Sequence, residues 1–179
     1  MESGNSAADS AALSTKDLLI ESGIKGGLVV HVGCGDGRNT AALRSSDNFI
    51  VHGLDADPDC VTAARERIYN LGISGMVSIT QWNDIRHLPY AENMVNLLFV
   101  EDSGKLNDDE IRRVLVPNGI ARVRKQNGDW RTIRKPRPAG MDNWSHWEHG
   151  ADGNPVSQDK FVGPPRRTQW IDGPSWSKK

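Results

Sequence analysis

The chain has 179 residues, and its 22 basic and 23 acidic residues leave a net charge of −1 at neutral pH. That length suits one domain with a real core plus an appendage, and near-balanced charge excludes a broadly basic nucleic-acid surface. No run approaches the roughly 18 apolar residues of a membrane span, and the two cysteines, Cys34 and Cys60, fit free thiols in a reducing compartment better than a disulfide framework.

Residues 1–14 are small and polar, so disorder is expected there. No basic segment followed by an apolar one marks a secretory signal, and a cytoplasmic protein is expected. "STKDLLIESG" predicts a helix with Ser14 as its cap, Leu18, Leu19 and Ile20 as its apolar residues and Gly23 as its stop. The run "GLVVHV" predicts a strand buried on both faces. "RNTAALRSS" reads as helix and "FIVHGLD" as a second strand.

"DPDCVTAARERIYNLG" carries the clearest helical signal: Asp57 as cap, Pro58 in the first turn, Gly72 as terminator, and Val61, Ala64, Ile68 and Leu71 on one side. "MVSIT", "VNLLFV" and "IARVR" predict further strands, and "DDEIRRVL" a short helix stopped by "PNG". Strand and helix alternate from about residue 28 to 124, the signature of a doubly wound, mostly parallel α/β sheet. Asn127-Gly128 then signals a hairpin turn, with "WRTIRK" returning as an antiparallel strand. The basic residues between Arg122 and Arg137, Lys125 and Lys135 among them, read as a solvated strand face.

In such sheets, ligands sit at the carboxyl ends of the strands. The turn after the first strand, "HVGCGDGRN", presents Gly33-x-Gly35-x-Gly37, where glycines let a ligand approach the main chain. A dinucleotide fingerprint needs G-x-G-x-x-G, but position 38 is arginine, and no P-loop pattern is present. The second strand ends on Asp55, 18 residues after Gly37, where a carboxylate can accept from both hydroxyls of a ribose. After the third strand, "QWNDI" puts Asp84 at the same rim, able to accept from an exocyclic amine, with Trp82 or Ile85 against the ring. Together these features describe a pocket for an adenosyl group, against the plainer alternative of a tight turn in a doubly wound fold.

The segments "VVHVGCGDG", "GLDADPD", "WNDIRHLPYAEN", "VNLLFVED" and "IRRVLVPNG" resemble, in order, the motifs of class I S-adenosylmethionine-dependent methyltransferases over roughly residues 18 to 124. The resemblance implies a Rossmann-like fold and S-adenosylmethionine or S-adenosylhomocysteine as cofactor. It places Gly33, Gly35 and Gly37, with Cys34 and Asp36 between them, beneath the methionine moiety. Asp55, followed by Ala56, would take the ribose; Asn83, Asp84 and Ile85 would border the adenine, and Glu101 the cofactor after the fourth strand. His31 stands where family members carry an acid, and a neutral imidazole supplies no countercharge to the methionine ammonium. Asn96 similarly stands where the fourth strand often begins with aspartate. Only "SGKLN" separates "FVED" from the next helix, where family enzymes place a helix that walls the acceptor pocket. Asp102 and His87 are candidate bases, but no residue pattern assigns a catalytic group.

Residues 136–179 are rich in Pro, Gly and Trp and show no period. Trp144, Trp147, Trp170 and Trp176 predict packing against the α/β domain or an apolar surface for a partner or a second copy. His146-x-x-His149, with Glu148, Asp152 and Asp159 nearby, could share a metal on a helix, although without a third fixed ligand packing is the better reading. "GDWRTIRKPRP", "DNWSHWEHGADGNPVS" and "VGPPRRTQW" resemble the junction in planctomycete-type bacterial proteins where a short methyltransferase-like domain precedes a PQQ-type quinoprotein-like β-propeller; those relatives are typically exported. The domains implied are a disordered 1–14, a methyltransferase-like 15–135 and an irregular 136–179. Two functions stay open: a small methyltransferase with an unidentified acceptor, or a non-catalytic docking module of a propeller system.

Overall fold

Apolar side chains on both faces of successive strands require cover on both sides, and the sheet obtains it. The computed structural model describes residues 15–84, 86–101, 106–143, 145–147 and 149–161. Residues 1–14 with the expected cap Ser14, and Ile85, Asp102, Trp144, Glu148, Trp170 and Trp176, lie outside the described residues. The elements run α1 (Thr15–Ser22), β1 (Gly27–Val32), α2 (Arg38–Leu43), β2 (Phe49–Asp55), α3 (Pro58–Asn70), β3 (Val77–Gln81), β4 (Val95–Val100), α4 (Asp108–Val114), β5 (Leu115–Arg124) and β6 (Trp130–Arg134). The described residues fall into two units that divide between Pro136 and Arg137.

The first unit holds a six-stranded sheet in the order β3-β2-β1-β4-β5-β6. The first five strands are parallel and β6 is antiparallel to β5. Alternate residues feed two cores. Val29, Val51, Leu97 and Phe99 meet α1, α2 and α3 through Leu18, Leu43, Val61, Ala64 and Ile68. Val30, Leu54, Leu98 and Val123 meet α4 through Ile111 and Val114 on the other face. The order reverses at β1, which lies between β2 and β4, so a crevice opens beyond the ends of β1 and β4.

Local chemistry sets the boundaries. Asp57 caps α3 by accepting from the Asp59 amide at 2.9 Å, with Pro58 as the first helical residue. Leu71, expected on the buried side, is 56% exposed because the helix has ended and it serves as the C-cap. Helix α2 stops at Leu43, short of the predicted span, and Met76 lies exposed before β3. Helix α4 ends before "PNG": β5 already begins at Leu115, and Pro117-Asn118-Gly119 is absorbed as an irregularity with Asn118 at φ 65°. Asn96 ties β4 to β1, its Oδ1 accepting from the Leu28 amide at 2.9 Å.

The basic residues of β5 and β6 lie on an exposed to half-buried face, as expected, and several of them are also paired. Arg124 donates to Glu101 at 2.8 Å, Arg131 grips Asp108 through two bonds of 2.8 and 3.0 Å, and Arg122 reaches Glu21 and Thr132. Lys135 donates to the Leu115 carbonyl and to Asn93. These four cations meet acceptors that sequence spacing could not show.

The second unit, over its described residues, is organised by Asp142. Its Oδ2 accepts from His149 Nε2, the Gln158 amide and the Ser157 hydroxyl, and its Oδ1 accepts from the Asn143 amide. The Gln158 and Asn143 amides and His149 hold the Asp142 carboxyl down to about 2. His146 Nδ1 bonds the Ser145 hydroxyl, and no group of three metal-ligating side chains occurs among the described residues. Trp147 is 94% exposed. No helix of the described residues is long and apolar enough to cross a membrane.

Candidate functional site

Glycine at three alternate positions lets the chain leave β1, reverse and enter α2 within five residues. Gly33, Gly35 and Gly37 all have positive φ. At Gly37 a second demand applies, because a Cβ there would lie 2.9 Å from the Ala64 Cβ of α3. At Gly35 a Cβ would meet nothing within 4 Å, so open space lies above that residue.

The turn is closed on itself. The Gly33 and Cys34 amides both donate to the Leu54 carbonyl, at 2.8 and 3.2 Å, and the Gly37 amide to the Cys34 carbonyl at 3.0 Å. The Gly35 amide donates to Asp55 Oδ2 at 2.8 Å, and the Arg38 amide to Asp36 Oδ1 at 3.1 Å. Asp55 Oδ1 accepts in turn from the Asp57 amide at 3.1 Å, so one carboxylate joins the turn to the end of β2. Arg67 of α3 clamps Asp36 through both its carboxylate and its carbonyl, at 2.7 and 2.9 Å. The Arg38 amide first, with Arg67 adding to it, holds the Asp36 carboxyl below its ordinary range. Cys34 is buried, which pushes its thiol up to about 12 and leaves it an inert packing group.

A cleft of about 510 Å³ is lined by His31, Gly33, Cys34, Gly35, Asp36, Arg38, Asn39 and Glu101. His31 is 1% exposed; its Nδ1 bonds the buried Thr40 hydroxyl at 2.8 Å, while Nε2 makes no hydrogen bond and faces Glu101 Oε1 at 3.5 Å. His31 and then Arg124 hold the Glu101 carboxyl below its usual range.

Six of the expected residues (His31, Gly33, Cys34, Gly35, Asp36 and Glu101) thus share one cleft, whereas Gly37, Asp55, Ala56, Asn83 and Asp84 stand outside its lining. Gly37 packs on α3, and Ala56 is exposed, its carbonyl accepting from Gln81. Asn83 and Asp84 are exposed on the turn after β3. Trp82 donates its indole N–H to the Asp84 and His87 carbonyls and packs against the α4-side core, so it braces this turn. His87 is exposed and lies 3.5 Å from Asp84 Oδ2. Two residues that sequence reasoning missed support the next loop: Glu110 accepts from the Leu88 amide at 2.7 Å, and Arg113 donates to the Leu88 and Tyr90 carbonyls.

A doubly wound parallel sheet with a glycine turn at its switch point and an acid ending the neighbouring strand defines a nucleotide-type binding fold. Residues 29–128 match the methyltransferase domain family, and the chain belongs to it. Its fold is similar to that of a putative S-adenosyl-L-methionine-dependent methyltransferase from Methanococcus maripaludis (TM-score 0.56, 22% identity, covering 63% of this chain and 54% of that one). It is also similar to a SAM-dependent methyltransferase from Aquifex aeolicus (TM-score 0.54, 22% identity, 63% of each chain). A third likeness is to geranyl diphosphate C-methyltransferase from Streptomyces coelicolor, in complex with Mg2+, geranyl diphosphate and S-adenosyl-L-homocysteine (TM-score 0.53, 19% identity, 60% of this chain and 44% of that one). The chain thus spans between 44% and 63% of the length of these three structures, and the likeness is one of fold. Among curated proteins none matches.

Proposed function

We propose that the first unit binds S-adenosylmethionine, or its demethylated product S-adenosylhomocysteine, at the ends of β1 and β4 and serves methyl transfer to an acceptor. The closed hydrogen bonding of the glycine turn carries this reading. A diphosphate needs backbone amides aimed at it, whereas the amides of Gly33, Cys34, Gly35, Gly37 and Arg38 already meet acceptors within the protein. The cleft instead offers the carboxylates of Asp36 and Glu101. Arg38 lines the same cleft, so the lining offers both signs of charge and suits a ligand that carries an ammonium and a carboxylate beside a cationic sulfonium.

The remaining residues fit the same group. A carboxylate has about four acceptor positions; Asp55 fills two with backbone amides and keeps the others for a ribose diol. The open space at Gly35 admits a ligand against the main chain. On this reading Gly33, Cys34, Gly35, Asp36 and Gly37 form the floor under the methionine part, with Glu101 and His31 at its amino-acid end. Asp55 and Ala56 hold the ribose, and Asn83, Asp84 and Ile85 border the adenine. When bound, S-adenosylmethionine supplies a methyl group activated on a positively charged sulfur. The chain contributes alignment of that donor, the main lever in an in-line displacement.

Titration calorimetry of the chain with S-adenosylhomocysteine and, separately, with NAD tests the reading. Saturable heat with the first and none with the second is expected; the reverse would overturn it. A second reading, a non-catalytic docking module of a propeller system, draws on the exposed Trp147, Val156 and Phe161 of the second unit.

A further inference from the structure

Strand β6 ends the sheet, and among the described residues no strand lies along its outer edge. Its bonding to β5 fixes what that edge presents. The Lys125 amide donates to the Asp129 carbonyl and the Lys135 amide to the Gly119 carbonyl, with Val123 opposite Arg131 and Ala121 opposite Ile133 between them. Residues 131, 133 and 135 therefore aim their backbone groups at β5, and Trp130, Thr132 and Arg134 aim theirs outward. Among the described residues no partner meets those outward amides and carbonyls. Thr132 and Arg134 are exposed. The opposite edge is blunted: the Val77 amide of β3 donates to the Ile73 carbonyl, and Arg65 Nε donates to the Ile79 carbonyl, both at 3.0 Å. An unpaired row like that of β6 is a template for another strand.

The side-chain order along β6 is complementary to its own reverse. A second copy laid antiparallel, with Thr132 facing its equivalent, sets Asp129 opposite Lys135, Trp130 opposite Arg134 and Arg131 opposite Ile133. An acid then meets a base, a ring meets a guanidinium and threonine meets threonine, all favourable cross-strand pairs. The same register joins the outward groups of all three free residues. Arg131 brings no bare charge, because Asp108 already holds it through two bonds. Lys135 gives two N–H groups to Asn93 and the Leu115 carbonyl and keeps a third for Asp129.

We propose that β6 is a docking edge for a second copy of this chain, the two β6 strands pairing antiparallel about a two-fold axis at Thr132 into one continuous sheet. The axis stands across the sheet, so the parallel strands of the two copies run in opposite directions. Their clefts open at opposite ends, and neither blocks the other. With only five residues in each strand, the contact is small and the dimer weak.

Sedimentation equilibrium on the full chain, from micromolar to millimolar protein, tests the pairing. Wild type should pass from monomer to dimer across that range. Thr132→Pro removes the N–H groups of the central pair, which β5 does not use. It should raise the dissociation constant about tenfold or more and leave the melting temperature unchanged. Asp129→Lys, which sets like charges opposite each other, should weaken the dimer as well. Thr132→Cys treated with glutathione disulfide should yield a disulfide dimer beyond the wild-type level. Directly opposed residues of such a pair have Cα atoms about 5.5 Å apart, within disulfide reach. Wild type that stays monomeric at millimolar concentration overturns the proposal. So does a dimer that Thr132→Pro leaves intact, which would come from another surface, or a Thr132→Cys chain that cross-links no more than wild type.

Discussion

Asp55 closes the glycine turn and, on the proposed reading, accepts from the ribose, and one substitution reads out each role. Its Oδ2 accepts from the part-buried Gly35 amide at 2.8 Å and its Oδ1 from the exposed Asp57 amide at 3.1 Å. In Asp55→Ala, water replaces the acceptor at Asp57 at little cost. The Gly35 amide loses a charge-assisted bond in a sheltered place, worth about 1.5–3 kcal/mol. With a few tenths from the exposed bond, the expected destabilisation is roughly 2–3 kcal/mol. For a folding unit of this size, each kcal/mol moves the melting temperature by about 2–4 °C, so a fall of about 5–10 °C is expected. Affinity for S-adenosylhomocysteine should fall about ten- to a hundredfold as the ribose loses its partner. Differential scanning calorimetry and titration calorimetry measure the two effects separately. An Asp55→Ala protein that melts with the wild type would show that the carboxylate does not clip the turn. Undiminished affinity in a destabilised variant would remove Asp55 from the ribose site.

Two further outcomes follow from packing and charge. Gly37→Ala places a Cβ 2.9 Å from Ala64 at a φ of +76°, and should cost about 2–4 kcal/mol in chemical denaturation; adding Ala64→Gly should restore only the steric share, and full recovery would refute the backbone argument. Arg113, bonded to the Glu110 carboxylate, holds that group below its ordinary value of 4.5, so its stabilising contribution is complete above that pH and is lost as pH falls through the lower folded value. Melting temperature should therefore drop more steeply below about pH 4.5 in wild type than in Glu110→Gln, and parallel curves would refute the linkage.

The strands were legible because β-branched and leucine runs such as "LVV" and "NLLFV" admit few alternatives, and the hairpin because Asn127-Gly128 has one favoured use. Asp57 with Pro58 likewise marks the start of α3 from sequence alone. Features made by distant residues were not legible. The clip between Asp55 and Gly35 spans 20 residues, and the bond from Arg113 to the Tyr90 carbonyl spans 23. Ion pairing of Arg124 and Arg131 depends on Glu101 and Asp108 arriving from other elements, which composition alone did not show. His31 shows the same limit: its burial was foreseeable from the apolar strand, but its bond to Thr40 and its facing of Glu101 required the fold.

The self-contained turn also determines where a ligand can be seen to arrive. Amides that already meet acceptors exchange slowly with deuterated water before anything is bound, because exchange requires those bonds to open. Gly33, Cys34, Gly35 and Gly37 are in that condition from the outset. A deuterium-labelling map of ligand addition should therefore stay nearly blank at the turn, even with the ligand seated against it as proposed. The change should appear instead at the exposed rim that carries Asn83 and Asp84. The same preset geometry means that docking removes little backbone freedom at the turn, so its entropy cost falls mainly on the side chains and the ligand.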